Sequence, residues 1–188
     1  AEEISKTYVL GDWTECYLPA GNLKIKYINE DINYKVFKRG LSLDNAVYTT
    51  TVENNHIKRN MTAFVSFCDS TFVALLDGNG KELELEISLE SKLKRSIKVD
   101  GNRITLKGKA PIYAAPNYFN VEEPIRYEDN KGLNYVLMLD VVIKNGEIST
   151  KDDKLIIKSR DKIEFYLTGD TNYKNKENLE YFCSEKLD

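Results

Sequence analysis

An all-β fold, two antiparallel sheets packed face to face and built from about a dozen strands, is what this sequence predicts. Apolar residues recur at every second position in segment after segment, the period of a half-buried strand. The segments are punctuated by Gly, Asn and Asp clusters of the kind tight turns require. Strands do not alternate with long amphipathic helices, so a doubly wound sheet or a barrel ringed by helices is disfavoured.

Taken in order, the first strand is residues 23–27, where Leu23, Ile25 and Tyr27 alternate with Lys24 and Lys26. Ile57, Arg59 and Met61 alternate with Lys58 and Asn60 in the next clear case. The runs AFVSF and TFVALL that follow are continuously apolar, as expected where both faces of a strand are covered. ELELEISLESKL has helix-forming composition, yet Leu83, Leu85, Ile87 and Leu89 fall on every second residue, so the period argues for a strand. Hairpin turns are expected at DGNG (77–80), at DGN (100–102) between RSIKVD and NRITLKG, and at KNGE (144–147) between LDVVIK and EIST. KLIIKS follows after Asp152 and Asp153. Residues 110–132 lack clear periodicity and hold three of the four prolines, which predicts an excursion over the sandwich rather than a strand. Residues 173–187 read as a short helix or tail, with 173–188 the start of a linker.

The composition bounds the function. A chain of 188 residues, 41% hydrophobic and 30% charged, suits one domain spanning 1–188 with a sizeable core and does not suit disorder. The 27 basic and 30 acidic side chains give a net charge of −3 with no strong block, so neither nucleic acid nor a membrane surface is expected as a partner. KLKRSIK (92–98) is short enough to read as a solvated strand face. No apolar stretch approaches the roughly 18 residues of a membrane helix. The start, AEEISKTYVL, lacks the basic and then apolar order of a signal peptide, which leaves localisation open.

Chemistry-bearing motifs are sparse. Cys16, Cys68 and Cys183 are too widely spaced for a zinc knuckle; one disulfide could form by any of three pairings, and Cys183 is expected to be unbridged because its neighbours are polar. His56 is the only histidine and reads as a turn residue. With no HExxH and no nucleophile beside a base, no catalytic residue, metal site or cofactor is assigned. Glu122 and Glu123, Glu128 and Asp129, and Asp152 and Asp153 are carboxylate doublets, but adjacent side chains point apart, so they read as solvated loop charge, with calcium at 128–129 a minor alternative.

Several ordered segments carry a resemblance. YLPAGNLKIKY (17–27), YKVFKRGLSLDNAVYTTTV (34–52), IKRNMTAFVSFCDSTFVALL (57–76), GKAPIYAAPNYF (108–119), YEDNKGLNYVLMLDVV (127–142) and TGDTNYKN (168–175) are similar to successive stretches of the amino-terminal β-supersandwich domain of glycoside hydrolase family 95, the α-L-fucosidase-like family. Asp69 stands where that pattern has proline, and Tyr113 or Ala114 where it has histidine. The resemblance implies a noncatalytic front domain supporting an α/α-barrel in the same parent chain. The barrel would supply the acid and activated water for inverting hydrolysis of α-L-fucoside-like sugars. It further implies a secreted or periplasmic bacterial protein.

Beside that reading, Trp13, Tyr17, Tyr113, Tyr118, Phe119 and Tyr127 gather near predicted loop edges. Aromatic faces next to Asn117 and Asn120 suit sugar stacking with amide hydrogen bonds, although aromatics also serve as ordinary core. Trp13, Tyr113, Asn117, Tyr118 and Tyr127 are therefore the candidate carbohydrate or interdomain contacts. An autonomous carbohydrate-binding or adhesion module, with oligosaccharide as its partner, is the alternative to a domain that serves a barrel.

Overall fold

The structure, a computed structural model, describes residues 3–4, 17–28, 33–174 and 177–187. Fourteen strands run in chain order: β1 (Asn22–Tyr27), β2 (Val36–Ser42), β3 (Val47–Glu53), β4 (Lys58–Ser66), β5 (Thr71–Asp77), β6 (Leu83–Glu90), β7 (Lys94–Asp100), β8 (Arg103–Lys109), β9 (Tyr113–Ala114), β10 (Ile125–Arg126), β11 (Asn134–Ile143), β12 (Glu147–Lys151), β13 (Lys154–Ser159) and β14 (Ile163–Thr171). A 3₁₀ turn (Asn172–Lys174) and a helix, α1 (Leu179–Glu185), follow β14. The large sheet has eight strands in the order β2-β3-β4-β5-β14-β11-β8-β7, the small sheet four in the order β1-β6-β13-β12, and β9 and β10 form a separate ribbon. The fold is thus the all-β, two-layer antiparallel sandwich expected.

The alternating pattern of ELELEISLE explains the small sheet. In β6, Leu83, Leu85, Ile87 and Leu89 are fully buried against the large sheet. The intervening acids point outward and pair with lysines of the neighbouring strands: Glu86 with Lys154 at 3.0 Å, Glu84 with Lys158 at 3.1 Å, and Glu90 with Lys24 at 2.6 Å. Leu155 and Ile157 of β13 join the same core, which Leu76, Ile104, Leu106, Leu139, Val141, Ile163 and Phe165 complete from the large sheet.

Several local expectations change. The alternating run at 57–61 and the AFVSF run are joined in one strand, β4, which spans Lys58–Ser66. Nor are both faces of β4 covered, because Phe64 and Val65 are exposed. Arg59, on the inward side of β4, is only 2% exposed; its guanidinium donates to the Gly78 carbonyl at 2.7 Å and the Glu82 carbonyl at 2.9 Å. That arginine satisfies the backbone of DGNG, which is not a hairpin. It carries the chain from β5 in the large sheet to β6 in the small one. KNGE likewise crosses between sheets, from β11 to β12. Only DGN closes a hairpin, β7 with β8. The neighbouring hairpin, β12 with β13, turns instead on Asp152 and Asp153, at φ 48° and 58°. Two consecutive left-handed residues make the type of turn whose twist matches paired strands.

The 110–132 excursion carries the β9–β10 ribbon where no strand was expected. At the C-terminal end, α1 lies on the outer face of the large sheet. Leu179, Cys183 and Leu187 cover Val136 and Met138, while Arg103 clamps Asp140 through both carboxylate oxygens at 2.6 and 2.7 Å and donates to Ser184 at 2.7 Å. Cys68 is an exposed thiol and Cys183 a buried one. Cys183 is unbridged for a different reason from the one expected: the residue is fully buried in an apolar cluster, not set among polar neighbours.

Candidate functional site

The excursion builds one structured edge of the sandwich. Its backbone is fixed by the Ile112 amide donating to the Arg126 carbonyl at 2.9 Å, by Ala115 to Pro124 at 2.9 Å, and by Ala110 to Leu133 at 2.8 Å. Lys109 Nζ reaches across its base to the carbonyls of Glu128 and Asp129. Pairing of Arg126 with Tyr113 in the ribbon sets the guanidinium over the tyrosine ring, 4.3 Å from its centroid. Tyr127 is held in a similar way. Lys94 Nζ lies 4.5 Å from its ring centroid, and its hydroxyl accepts from the Lys94 amide at 3.3 Å.

Two of the candidate aromatics therefore already spend a ring face on an internal cation, an attraction to the π quadrupole. Tyr118 differs. It is 74% exposed at the tip of the excursion and meets Phe119 edge-on, with centroids 6.3 Å apart. Asn117 and Asn120 flank this pair and are exposed. The Phe119 amide donates to the Pro116 carbonyl at 3.0 Å, which turns the chain and presents the tip. Tyr113, Asn117, Tyr118 and Tyr127 thus share one excursion, with Tyr118 and Asn117 at its tip and Tyr113 and Tyr127 in its frame. Trp13 lies outside the described residues. Tyr17 is fully exposed.

The carboxylate doublets separate by role. Glu122, Glu123 and Glu128 line a shallow polar concavity with Lys94, Arg126 and Tyr127. Glu128 pairs with Lys131 at 2.7 Å. Asp152 and Asp153 form the β12–β13 turn described above, far along the chain from this edge. His56 sits in an exposed turn, its amide donating to Asn54 Oδ1 at 2.9 Å. Among the described residues no group of three or more His, Cys, Asp or Glu could hold a metal ion. No described helix is long and apolar enough to cross a membrane.

Sequence reading missed two features. Lys94 and Arg126 become partners of the aromatics only through pairing across the ribbon and against β7, which no local motif announces. The second is a groove of about 470 Å³ between β1 and the overhanging wing of the large sheet. Tyr27, Tyr34, Phe37 and Tyr48 line it, and it exists because the wing extends past the small sheet.

Comparison with known proteins bears on identity. The sequence profile described as "Glycosyl hydrolase family 65, N-terminal domain" matches residues 1–176. The chain belongs to that family. The family 65 N-terminal domain is similar in fold to a solved structure described as "Putative kojibiose phosphorylase from human microbiome", with a TM-score of 0.51 and 13% identity. That match covers 90% of this chain and 25% of the other, so the family 65 domain here spans about a quarter of that protein. No curated protein matches the sequence.

These findings correct the resemblance to family 95. The segments that carried it are strand entries, turns and strand edges. YLPAGNLKIKY leads into β1, and YEDNKGLNYVLMLDVV leads from the excursion into β11. Such patterns follow from the sandwich itself, so their order reports the fold; the profile spanning residues 1–176 reports the family, which is 65.

Proposed function

We propose that this domain is the noncatalytic front sandwich of a larger enzyme that cleaves glycosidic bonds, and that it buttresses the catalytic domain of the same polypeptide. Membership in the family 65 N-terminal domains and a fold shared with a quarter of a much longer phosphorylase-described chain support this reading. Glycosidic cleavage calls for carboxylic groups set on either side of the sugar bond. The doublets here serve as a turn, an ion pair and solvated charge, so that chemistry is assigned to the rest of the parent.

The single observation that carries the reading further is the tip of the excursion. Tyr118 and Phe119 project beside Asn117 and Asn120 while the ribbon behind them is braced by two cation–π contacts. In the proposal this tip meets the catalytic domain or the sugar held at its rim. An aromatic pair on a rigid support loses little entropy on contact. The experiment is kinetic. In the full-length polypeptide, Tyr118→Ala should raise KM or lower kcat by about tenfold, the loss of about 1.4 kcal/mol of contact. The unfolding midpoint should not move. Unchanged kinetics would remove the tip from the site. Glycan binding that persists in a chain lacking any catalytic domain would favour the autonomous carbohydrate-binding module, which the same exposed pair also suits.

A further inference from the structure

The small sheet stops short of the large one. Beyond its edge strand β1, the wing of β2, β3 and β4 runs on with no facing layer among the described residues. Apolar residues on the core side of that wing are consequently in the open: Phe37 is 62% exposed, Leu41 60% and Val65 66%. Register assigns them to the core side. Phe37 pairs with Val52 and Val52 with the buried Arg59, Leu41 pairs with Tyr48 and Tyr48 with the buried Ala63, and Val65 follows Ala63 by two residues on β4.

β1 has an edge to match. Its register with β6 sets Asn22, Lys24 and Lys26 opposite Glu90, Ser88 and Glu86, and the Ile28 amide continues the series by donating to the Glu84 carbonyl at 2.8 Å. Bonded pairs alternate along an antiparallel ladder, so the even-numbered residues bond β6 while Leu23 and Ile25 turn N–H and C=O to the open side. Among the described residues nothing takes those groups. The side chains of the same two residues form the near wall of the groove beneath the wing, opposite Phe37, Tyr48 and Met61. Open edge and groove coincide, the arrangement in which an extended segment joins a sheet by main-chain bonds and seats every second side chain in a pocket.

We propose that a partner protein supplies a fifth strand to the small sheet here, an extended segment alternating large apolar with acidic residues, paired to β1 with its apolar side chains in the groove. The chemistry is read from the filled side of the same strand. Toward β6, β1 presents Leu23, Ile25 and Tyr27 inward and Lys24 and Lys26 outward. β6 answers with Leu and Ile inward and glutamates outward, Lys24 meeting Glu90 at 2.6 Å. Toward the open side β1 presents the same residues. None of the described residues lining the groove is acidic, and Arg39 shares the core-side face of β2 with Phe37 and Leu41, so the far lip is cationic as well. Within this sequence the segment of that pattern, ELELEISLE, is already β6 in the interior of its sheet, in this chain as in any second copy of it. The occupant is therefore a different protein. The groove lies beneath β2–β4 and the excursion against β7, at opposite edges of the large sheet, so this site and the Tyr118 tip succeed or fail separately.

The probe is a fluorescein-labelled peptide of sequence ELELELE, with KLKLKLK as its control, titrated against the full-length polypeptide and followed by fluorescence anisotropy. ELELELE should bind at least about tenfold more tightly, because like charges side by side on paired strands repel. Lys26→Glu, at an exposed position, should remove most of that preference. Amide hydrogen exchange resolved residue by residue is the second readout: saturating ELELELE should slow Leu23 and Ile25 by at least about tenfold and Lys24, already bonded to β6, far less. Equal binding of the two peptides, or binding that leaves Leu23 and Ile25 unslowed, overturns the inference in favour of adsorption to an apolar surface. Failure of ELELELE to bind also overturns it. If both amides are then slow without peptide, the edge is already covered, by a second copy where protection fades on dilution and by the same polypeptide where it does not.

Discussion

At Gly108 the side chain is missing because Tyr135 fills its place. The two residues face each other across β8 and β11, and a Cβ at position 108 would collide with the tyrosine ring. The ring cannot retreat freely, since its hydroxyl donates to the Ala20 carbonyl at 2.7 Å and accepts from the Ser91 hydroxyl at 3.0 Å. Gly108→Ala should therefore destabilise the domain by about 3 kcal/mol, the upper end of overpacking, read as a lowered urea midpoint. Tyr118→Ala, by contrast, should change stability by less than about 0.5 kcal/mol. Thiol chemistry divides the cysteines in the same manner. Cys68 should react with a thiol reagent in the native protein, and Cys183 only after unfolding exposes the α1 cluster. Residue identity alone could place Tyr113, Tyr118 and Tyr127 in one excursion but could not rank them. Their ranking depends on Arg126 and Lys94, and those contacts exist only once strands pair.

At the scale of elements, β6 explains why period outweighed composition. Its glutamates favour a helix by propensity, yet each gains a lysine across a strand boundary while its leucines fill the core. The hydrogen bond from Lys154 is the main cause lowering the Glu86 carboxyl below its ordinary 4.5, and burial opposes it. The hydrogen bond to Glu84, then that carboxylate's charge, raises Lys158 above 10.5. The signs set two windows. The Glu86 contribution is complete above about pH 4.5 and is lost as pH falls through its lowered folded value; that of Lys158 is complete below about pH 10.5 and is lost as pH rises through its raised one. Glu86→Gln should thus narrow its stability gap to the parent sequence as pH drops below 4.5, measured by unfolding at a series of pH values. The turns were half legible. Gly and Asn marked DGNG, DGN and KNGE as reversals, but DGNG and KNGE change sheets rather than close hairpins, because a left-handed residue announces that the chain turns and not which strand it then meets. Asp152 and Asp153 invert the lesson, looking like chemistry and serving as a turn. Replacing them with Asn-Gly should stabilise the chain by about 1 kcal/mol, read as a raised unfolding temperature, since both positions require positive φ.

For the whole molecule, the two-layer architecture followed from alternation, because only paired sheets bury so many half-apolar strands. The unequal width of the sheets did not follow. An eight-stranded layer over a four-stranded one leaves a groove beneath one wing. Of the two runs read as covered on both sides, AFVSF leaves Phe64 and Val65 exposed, whereas every residue of TFVALL is buried or half-buried, because β5 lies between β4 and β14 and β4 lies further out on the wing. One more property follows from the strand order. β13 sits inside the small sheet and β14 inside the large one, although both are among the last strands in sequence. A ribosome releases the chain from its N-terminus, so β5 and β6 emerge with their central neighbours still unmade. The small sheet cannot close until Ser159 has left the exit tunnel, nor the large one until Thr171 has. The nascent domain must carry the unpaired edges of β5 and β6 through most of its own synthesis, the interval in which it is most open to pairing with another chain.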